Sequence, residues 1–189
     1  EPFKNLFTQG MVCHETYKDK NHNWLYPSEI EKIEDNKIIK RSDKSIVTVG
    51  PPESMSKSKK NTVDPEIMIN QFGADAVRWF ILSDSPPEKD VQWTDSGVAS
   101  ANKFLQKIWN LKFLLSKRQN NKIDDKDEKK FKLDLNNFIY KIDHSIQSFR
   151  FNVSIALFYE LYSYFKESLE FRIGTELLSF YFIEMMKLM

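Results

Sequence analysis

Apolar residues recur every three to four positions through the second half of the chain, the period of a helix with one buried face. Val98, Ala101, Phe104, Leu105, Ile108, Leu111 and Leu115 make the first stripe, on a helix starting near Asp95, with Trp109 near its edge. Leu135, Phe138, Ile139, Ile142 and Ile146 make a second, and Val153, Ala156, Leu157, Leu161, Tyr164 and Phe165 a third. Leu177, Leu178, Phe182 and Met185 begin a fourth, which is expected to be cut short at Met189. Such stripes are buried against one another, which predicts an antiparallel helix bundle. Tyr159, Tyr162 and Tyr164 read as part of its packing, and Asn152 as a helix cap. Residues 117–130 are charge-rich and apolar-poor, and read as a flexible loop between helices.

The first half follows a different pattern. Leu6, Thr8, Gly10 and Val12 alternate as in a short buried strand, whereas residues 13–23 are polar with no strong period. Trp24-Leu25-Tyr26-Pro27 leads into Ser28-Glu29-Ile30, a short turn or strand. Lys37-Ile38-Ile39-Lys40 and Ser45-Ile46-Val47-Thr48-Val49 are β-branched runs, the latter ending at Gly50-Pro51-Pro52, and predict a small antiparallel element. Asp64 then caps a helix, with Pro65 at its first position and Glu66 favourable in its first turn. Ile67, Met68 and Phe72 share a face of it before Gly73 ends it. Asp75 restarts a helix burying Ala76, Trp79, Phe80 and Leu82, which Pro86-Pro87 cannot continue. The expected class is mixed and mainly α, with residues 1–93 and 94–189 as two parts.

Composition narrows this picture. Of the 189 residues, 41% are hydrophobic, enough to bury a core, and 29% are charged, as in soluble proteins. The net charge of +1 implies no global attraction to nucleic acid, so any RNA contact has to be local. In residues 117–130 acidic side chains nearly cancel the basic ones, which weakens an RNA-patch reading there. One cysteine, Cys13, excludes an internal disulfide and suits a reducing cytoplasm. No apolar run approaches a membrane span. Cys13, His14 and His22 fall short of a structural zinc set, which needs four ligands. Five glycines and no G-x-x-x-x-G-K sequence argue against a Walker-type phosphate loop.

The candidate chemistry lies in Ser54-Met55-Ser56-Lys57-Ser58-Lys59-Lys60-Asn61, directly upstream of the Asp64-Pro65-Glu66 helix start. Lysine ammoniums act as point charges on phosphate oxygens, and hydroxyls add short charge-assisted hydrogen bonds. A solvated basic loop is the plain alternative. The order of residues favours the functional reading. Met55-Ser56-Lys57-Ser58 resembles the Lys-Met-Ser-Lys-Ser signature of class I aminoacyl-tRNA synthetases, whose loop closes over ATP. Ser54 stands where that signature begins with lysine. Residues 1–12, Lys60-Asn61-Thr62-Val63-Asp64-Pro65, Phe72-Gly73-Ala74-Asp75-Ala76-Val77-Arg78 and Ser85-Pro86-Pro87-Glu88 with Val91-Gln92-Trp93-Thr94-Asp95 are similar to leucyl-tRNA synthetases. The likeness covers residues 1–116 well and the remainder weakly.

That resemblance implies the C-terminal end of a Rossmann-like catalytic domain followed by a helical domain of anticodon-binding type. It implies ATP, with Mg²⁺ carried by the nucleotide, leucine and tRNA(Leu) as partners, and a monomer when intact. Lys57 is the catalytic candidate. Ser54, Met55, Ser56, Lys57, Ser58, Lys59 and Lys60 are the nucleotide-binding candidates, Met55 packing rather than donating. The family's His-Ile-Gly-His signature does not occur around His14, His22 or His144. With no initiator Met and an opening that reads as mid-domain, that signature and an editing domain are expected upstream, and this part alone is expected not to aminoacylate. Arg78 reads as one half of an ion pair with Asp75 or Asp84, and Asp90, Trp93 and Asp95 as anchors of the junction. The rival readings are another class I branch (isoleucyl, valyl or methionyl) and a non-catalytic RNA-binding module.

Overall fold

The computed structural model describes residues 2–33, 37–118 and 123–189, and is mainly helical with a small sheet. Strand β1 (Val12–Lys18) is central to that sheet. It pairs antiparallel with β5 (Thr48–Ser54) on one edge, and on the other with β2 (Trp24–Leu25) antiparallel and β6 (Val91–Gln92) parallel. A short 3₁₀ turn (Pro27–Glu29) leads to a separate hairpin of β3 (Ile30–Lys32) and β4 (Ile38–Lys40). Tyr17, Leu25, Ile30, Ile38 and Val47 form a small core under these strands.

The strand expected over Leu6–Val12 starts instead where that stretch ends. Residues 2–10 carry no regular structure, and Leu6 is 89% exposed. The real strand lies in the stretch without a period because Cys13, His14, Thr16 and Tyr17 are all buried, polar members included. The run at residues 45–49 begins its strand only at Thr48 and continues through Pro51 and Pro52. The β1–β5 register shifts between His14 and Thr16, opposite these prolines, and such an irregularity accommodates residues that lack an N–H.

Helix α1 (Pro65–Phe72) is capped by Asp64, whose carboxylate accepts from the Glu66 N–H at 2.9 Å, and ends at Gly73 with φ 86°. Helix α2 (Ala74–Asp84) buries Ala76, Trp79 and Phe80. Ile67 and Leu82, expected inside, are exposed; Met68 and Phe72 alone turn α1 toward the core. Helix α3 (Asp95–Lys117) begins where expected, capped by Thr94, and buries all of its stripe except the half-buried Leu105. Helix α4 (Asp125–Gln147) starts inside the stretch read as loop. Asp124 caps it through the Lys126 N–H at 2.8 Å, and Asp125, Asp127 and Glu128 suit the positive end of its dipole. The rest of that expected loop falls partly on residues 119–122, outside the described residues.

Helix α5 (Phe151–Ser168) buries Ser154, Ile155, Phe158, Leu161 and Phe165, leaving Val153 and Ala156 exposed. The stripe is rotated because two serines lie on its inner face. Ser154 Oγ meets Ser145 Oγ at 2.8 Å, and Ser168 Oγ donates to the Tyr164 carbonyl at 2.7 Å. Asn152 makes no cap; the capping position belongs to Arg150, after Phe149 at φ 56°. Helix α6 (Thr175–Leu188) adds Leu178, Tyr181, Phe182 and Met185. One main core joins α2, β6 and α3 through α6. Arg118 binds the chain before α6, donating to the carbonyls of Leu169 at 2.9 Å and Ile173 at 2.6 Å and to that of Phe171.

Candidate functional site

The lysine loop emerges from the end of β5, beside the middle of the sheet. Ser54 pairs with Cys13 and Glu53 with His14 in the β1–β5 register. The Met55 N–H extends this pairing by donating to the Val12 carbonyl at 3.1 Å. Its side chain is half-buried against the main core, the packing role expected of it. The chain then turns tightly. Ser56 Oγ accepts from the Lys59 N–H at 3.3 Å and lies 3.3 Å from Ser58 Oγ. The Lys60 N–H donates to the Lys57 carbonyl at 3.3 Å, and Lys60 takes a left-handed backbone, φ 53°.

Asn61 closes the turn. It is completely buried, and its Oδ1 accepts the Ser56 N–H at 2.8 Å. Its Nδ2 lies within donating distance of three carbonyls: Glu53 at 3.0 Å, His14 at 3.3 Å and Ser54 at 3.4 Å. Sequence reasoning included Asn61 in the loop but gave it no role. The available signal was a lone amide directly after a run of lysines, where a side chain able both to donate and to accept can satisfy bent backbone.

The three lysines differ in their surroundings. Lys57 is exposed and has no ion-pair or ring partner among the described residues. Lys59 is paired with Glu53, both partly exposed. The Lys60 ammonium lies 5.1 Å from the centre of the Tyr26 ring, a cation–π contact. Ser54 is exposed, its hydroxyl 4.0 Å from Cys13 Sγ. The structure therefore places Ser54 and Met55 at the end of β5 and the other five candidates on the turn that follows, and leaves Lys57 as the unpaired cation of that turn among the described residues.

Beside the loop is a cleft of about 500 Å³, lined among others by His14, Tyr17, Arg41, Trp93 and Asp95. His14 joins the two places, since its carbonyl receives Asn61. The Tyr17 hydroxyl donates to Glu15 at 2.8 Å, and burial together with that carboxylate pushes its pKa up. Trp93 Nε1 donates to Asp95 at 3.0 Å, and Asp90 accepts the Met11 N–H at 2.8 Å. Arg78 pairs with Asp75 at 3.6 Å, both largely exposed, and so adds little stability. No cluster of three or more His, Cys, Asp or Glu side chains suited to a metal occurs among the described residues. No helix there is long and apolar enough to cross a membrane.

A family model described as tRNA synthetases class I (I, L, M and V) matches residues 42–94, the stretch that contains the loop. The chain is 58% identical over 109 residues to the leucine–tRNA ligase of Azorhizobium caulinodans, covering 58% of this chain and 12% of that protein. It is 45% identical over 163 residues to that of Orientia tsutsugamushi, covering 86% of this chain and 19% of that protein. With the leucine–tRNA ligase of Bartonella henselae it shares 46% identity over 167 residues, covering 85% and 19%. The chain thus spans between 12% and 19% of the length of these relatives. The fold resembles a crystal structure of the ternary complex of Agrobacterium radiobacter K84 agnB2 LeuRS-tRNA-LeuAMS, with a TM-score of 0.64 at 22% identity over 72% of this chain and 19% of that one.

Proposed function

We infer that this chain, similar to leucine–tRNA ligases along most of its length, is one segment of such a ligase and supplies its ATP-phosphate-binding loop. In the reaction, the leucine carboxylate attacks the α-phosphorus of ATP in line, and pyrophosphate leaves as leucyl-adenylate forms. The adenylate then acylates the terminal ribose of tRNA(Leu). Negative charge grows on the leaving pyrophosphate, and donors aimed at it in advance stabilise it most. Lys57 supplies the positive charge that faces it; Lys59 and Lys60 support it, and Ser54, Ser56 and Ser58 offer hydroxyls. Mg²⁺ travels with the ATP phosphates. The observation that carries this reading is the Lys57 ammonium, unpaired among the described residues, on a turn whose neighbouring residues are hydrogen-bonded into the sheet.

Residues 1–93 are assigned to the end of a Rossmann-like catalytic domain. The parallel β1–β6 pair, reached through α1 and α2, supports this, because parallel strands need such a crossover. Residues 94–189 are assigned to an antiparallel bundle of anticodon-binding type that contacts tRNA. The whole enzyme is proposed to act in the cytoplasm as a monomer. Because the sequence holds no His-Ile-Gly-His signature, catalysis is assigned to a longer ligase and not to these 189 residues alone. The test is ATP–pyrophosphate exchange by the ligase that carries this segment, across a panel of amino acids. Exchange driven by leucine alone supports the reading. Exchange driven by isoleucine, valine or methionine corrects the substrate, and none with any amino acid overturns the activity.

A further inference from the structure

Asn61 hydrogen-bonds to three pieces of backbone at once: strand β1 at His14, the end of β5 at Glu53 and Ser54, and the first turn of the loop at Ser56. A primary amide presents one acceptor and two donor hydrogens. Aspartate would keep the acceptor for the Ser56 N–H but set a second oxygen against three carbonyls. Leucine would fill the volume and offer none of those groups a partner. The site therefore demands the amide chemically, not only sterically. The left-handed backbone at Lys60, uncommon for a lysine, is the bend that returns the chain so that Asn61 can reach inside. A basic loop serving only solubility has no use for either feature.

We propose that Asn61 is a positioning residue for amino-acid activation: it fixes the turn at Ser56, and through it the Lys57 ammonium, before ATP arrives. The proposal rests on the ligase reading above. Lys57 is next in the chain to the N–H that Asn61 holds, and its carbonyl is tied to Lys60, next to Asn61 on the other side. Movement of the amide therefore shifts both ends of the short arc that presents the ammonium. Donors set in place before reaction lose no reorganisation energy as charge develops, and misplacing one by about 1 Å can cost about 100-fold in rate.

The test combines two measurements on Asn61→Ala and Asn61→Asp. In the ligase that carries this segment, Asn61→Ala lowers kcat for leucine-dependent ATP–pyrophosphate exchange about 100-fold. The KM for ATP moves less than about threefold, because the loss is confined to the transition state. Transfer of leucine from preformed leucyl-adenylate to tRNA also keeps its rate within about threefold, since no pyrophosphate leaves in that step. Asn61→Asp falls at least as far. On the 189-residue chain itself, the Ser56 amide exchanges its hydrogen faster in Asn61→Ala while amides of α4 and α5 keep their rates. Equal losses in exchange and transfer would make Asn61 a general structural residue and overturn the proposal. Unchanged protection at Ser56 would overturn it as well. An unmodified ligase without leucine-dependent exchange refutes the ligase reading itself, and the proposal falls with it; normal exchange in both variants refutes the proposal alone.

Discussion

Phe131, Leu135, Ile142, Leu161 and Phe165 fix α4 and α5 with at most 1% of their surface exposed, whereas the lysine loop, beyond the half-buried Met55 at its base, is held by polar contacts: the buried Asn61 amide, short bonds within the turn, a partly exposed ion pair and a ring contact. The two regions lie in one chain and are held by different physics. Burial of apolar surface is non-directional and spread over many contacts, so its loss is graded. Hydrogen bonds from a single enclosed amide are directional, and removing one partner strands the others. A region built the first way is stable and tolerant. A region built the second way is placed accurately but depends on a few atoms.

The largest effect is expected in the helices. The Phe131 ring sits 5.9 Å from Tyr164, 6.0 Å from Phe165 and 5.7 Å from Tyr181, centre to centre. Phe131→Ala should cost about 3–5 kcal/mol in urea unfolding, as cavity-forming substitutions of buried phenylalanine do. Hydrogen exchange at Ser56 in the same variant, under native conditions, should not change. A loop that loosens together with the helices would break the comparison, because the two regions would then share one cooperative unit.

Lys57→Ala is the converse. The side chain is exposed and unpaired among the described residues, so melting should not move. In the ligase, kcat for ATP–pyrophosphate exchange should drop about 100-fold or more, the scale of losing one preorganised donor to a developing charge. Ground-state ATP binding should weaken far less. Equal losses in rate and binding would leave simple attraction and remove the transition-state role.

How far each region was legible in the sequence follows from the same difference. The stripe of α3 was readable residue by residue, because a run of consistently apolar positions at helical spacing has one solution. On α5 the period was right but its phase was off: Ser154 and Ser168 occupy inner positions that hydrophobicity assigns to the outside, and they are satisfied by hydroxyl bonds a pattern does not display. Strand β1 was missed for a related reason, since its buried His14 and Thr16 erase the alternation. At the candidate site, the order Met55-Ser56-Lys57-Ser58 pointed to the loop, and Asp64-Pro65 marked the start of the helix after it. The inequality of the three lysines was not readable. It depends on Glu53 and Tyr26, brought there by strand pairing and by the turn that Asn61 closes.

A smaller effect separates the regions by pH. Each holds one tyrosine hydroxyl bonded to a carboxylate: Tyr17 to Glu15 at 2.8 Å in the sheet, Tyr164 to Asp134 at 2.7 Å in the helices. Burial first, and the neighbouring carboxylate second, raise both pKa values above the ordinary one. The folded chain thus holds these protons more tightly than the unfolded chain. Their contribution is complete below the ordinary tyrosine value of about 10 and is lost as pH rises beyond it. Melting temperature should fall above about pH 10 for this reason. Tyr164→Phe should flatten that fall in helical circular dichroism, and Tyr17→Phe should leave the helical signal's pH dependence in place. An identical response to both substitutions would argue that sheet and helices unfold as one.

The smallest effect is at the Glu53–Lys59 pair, and it sharpens the ranking of the lysines. Both partners are partly exposed, and ion pairs of that kind contribute about 0–1 kcal/mol. Glu53→Gln should therefore leave unfolding almost unchanged. It keeps the backbone carbonyl that Asn61 holds at 3.0 Å, so the turn stays closed. What changes is the charge at the site: Lys59 loses its neutralising carboxylate while Lys57 keeps its place. If Lys57 carries the charge of the transition state, the freed Lys59 adds only screened attraction to ATP. The KM for ATP should then fall by no more than about threefold, more at low salt than at high, with kcat unchanged. A rise in kcat of about tenfold or more would mean that Lys59 reaches the departing pyrophosphate once released. The loop would then work as a pair of cations, one of them restrained by Glu53, and the single unpaired ammonium would no longer account for its chemistry.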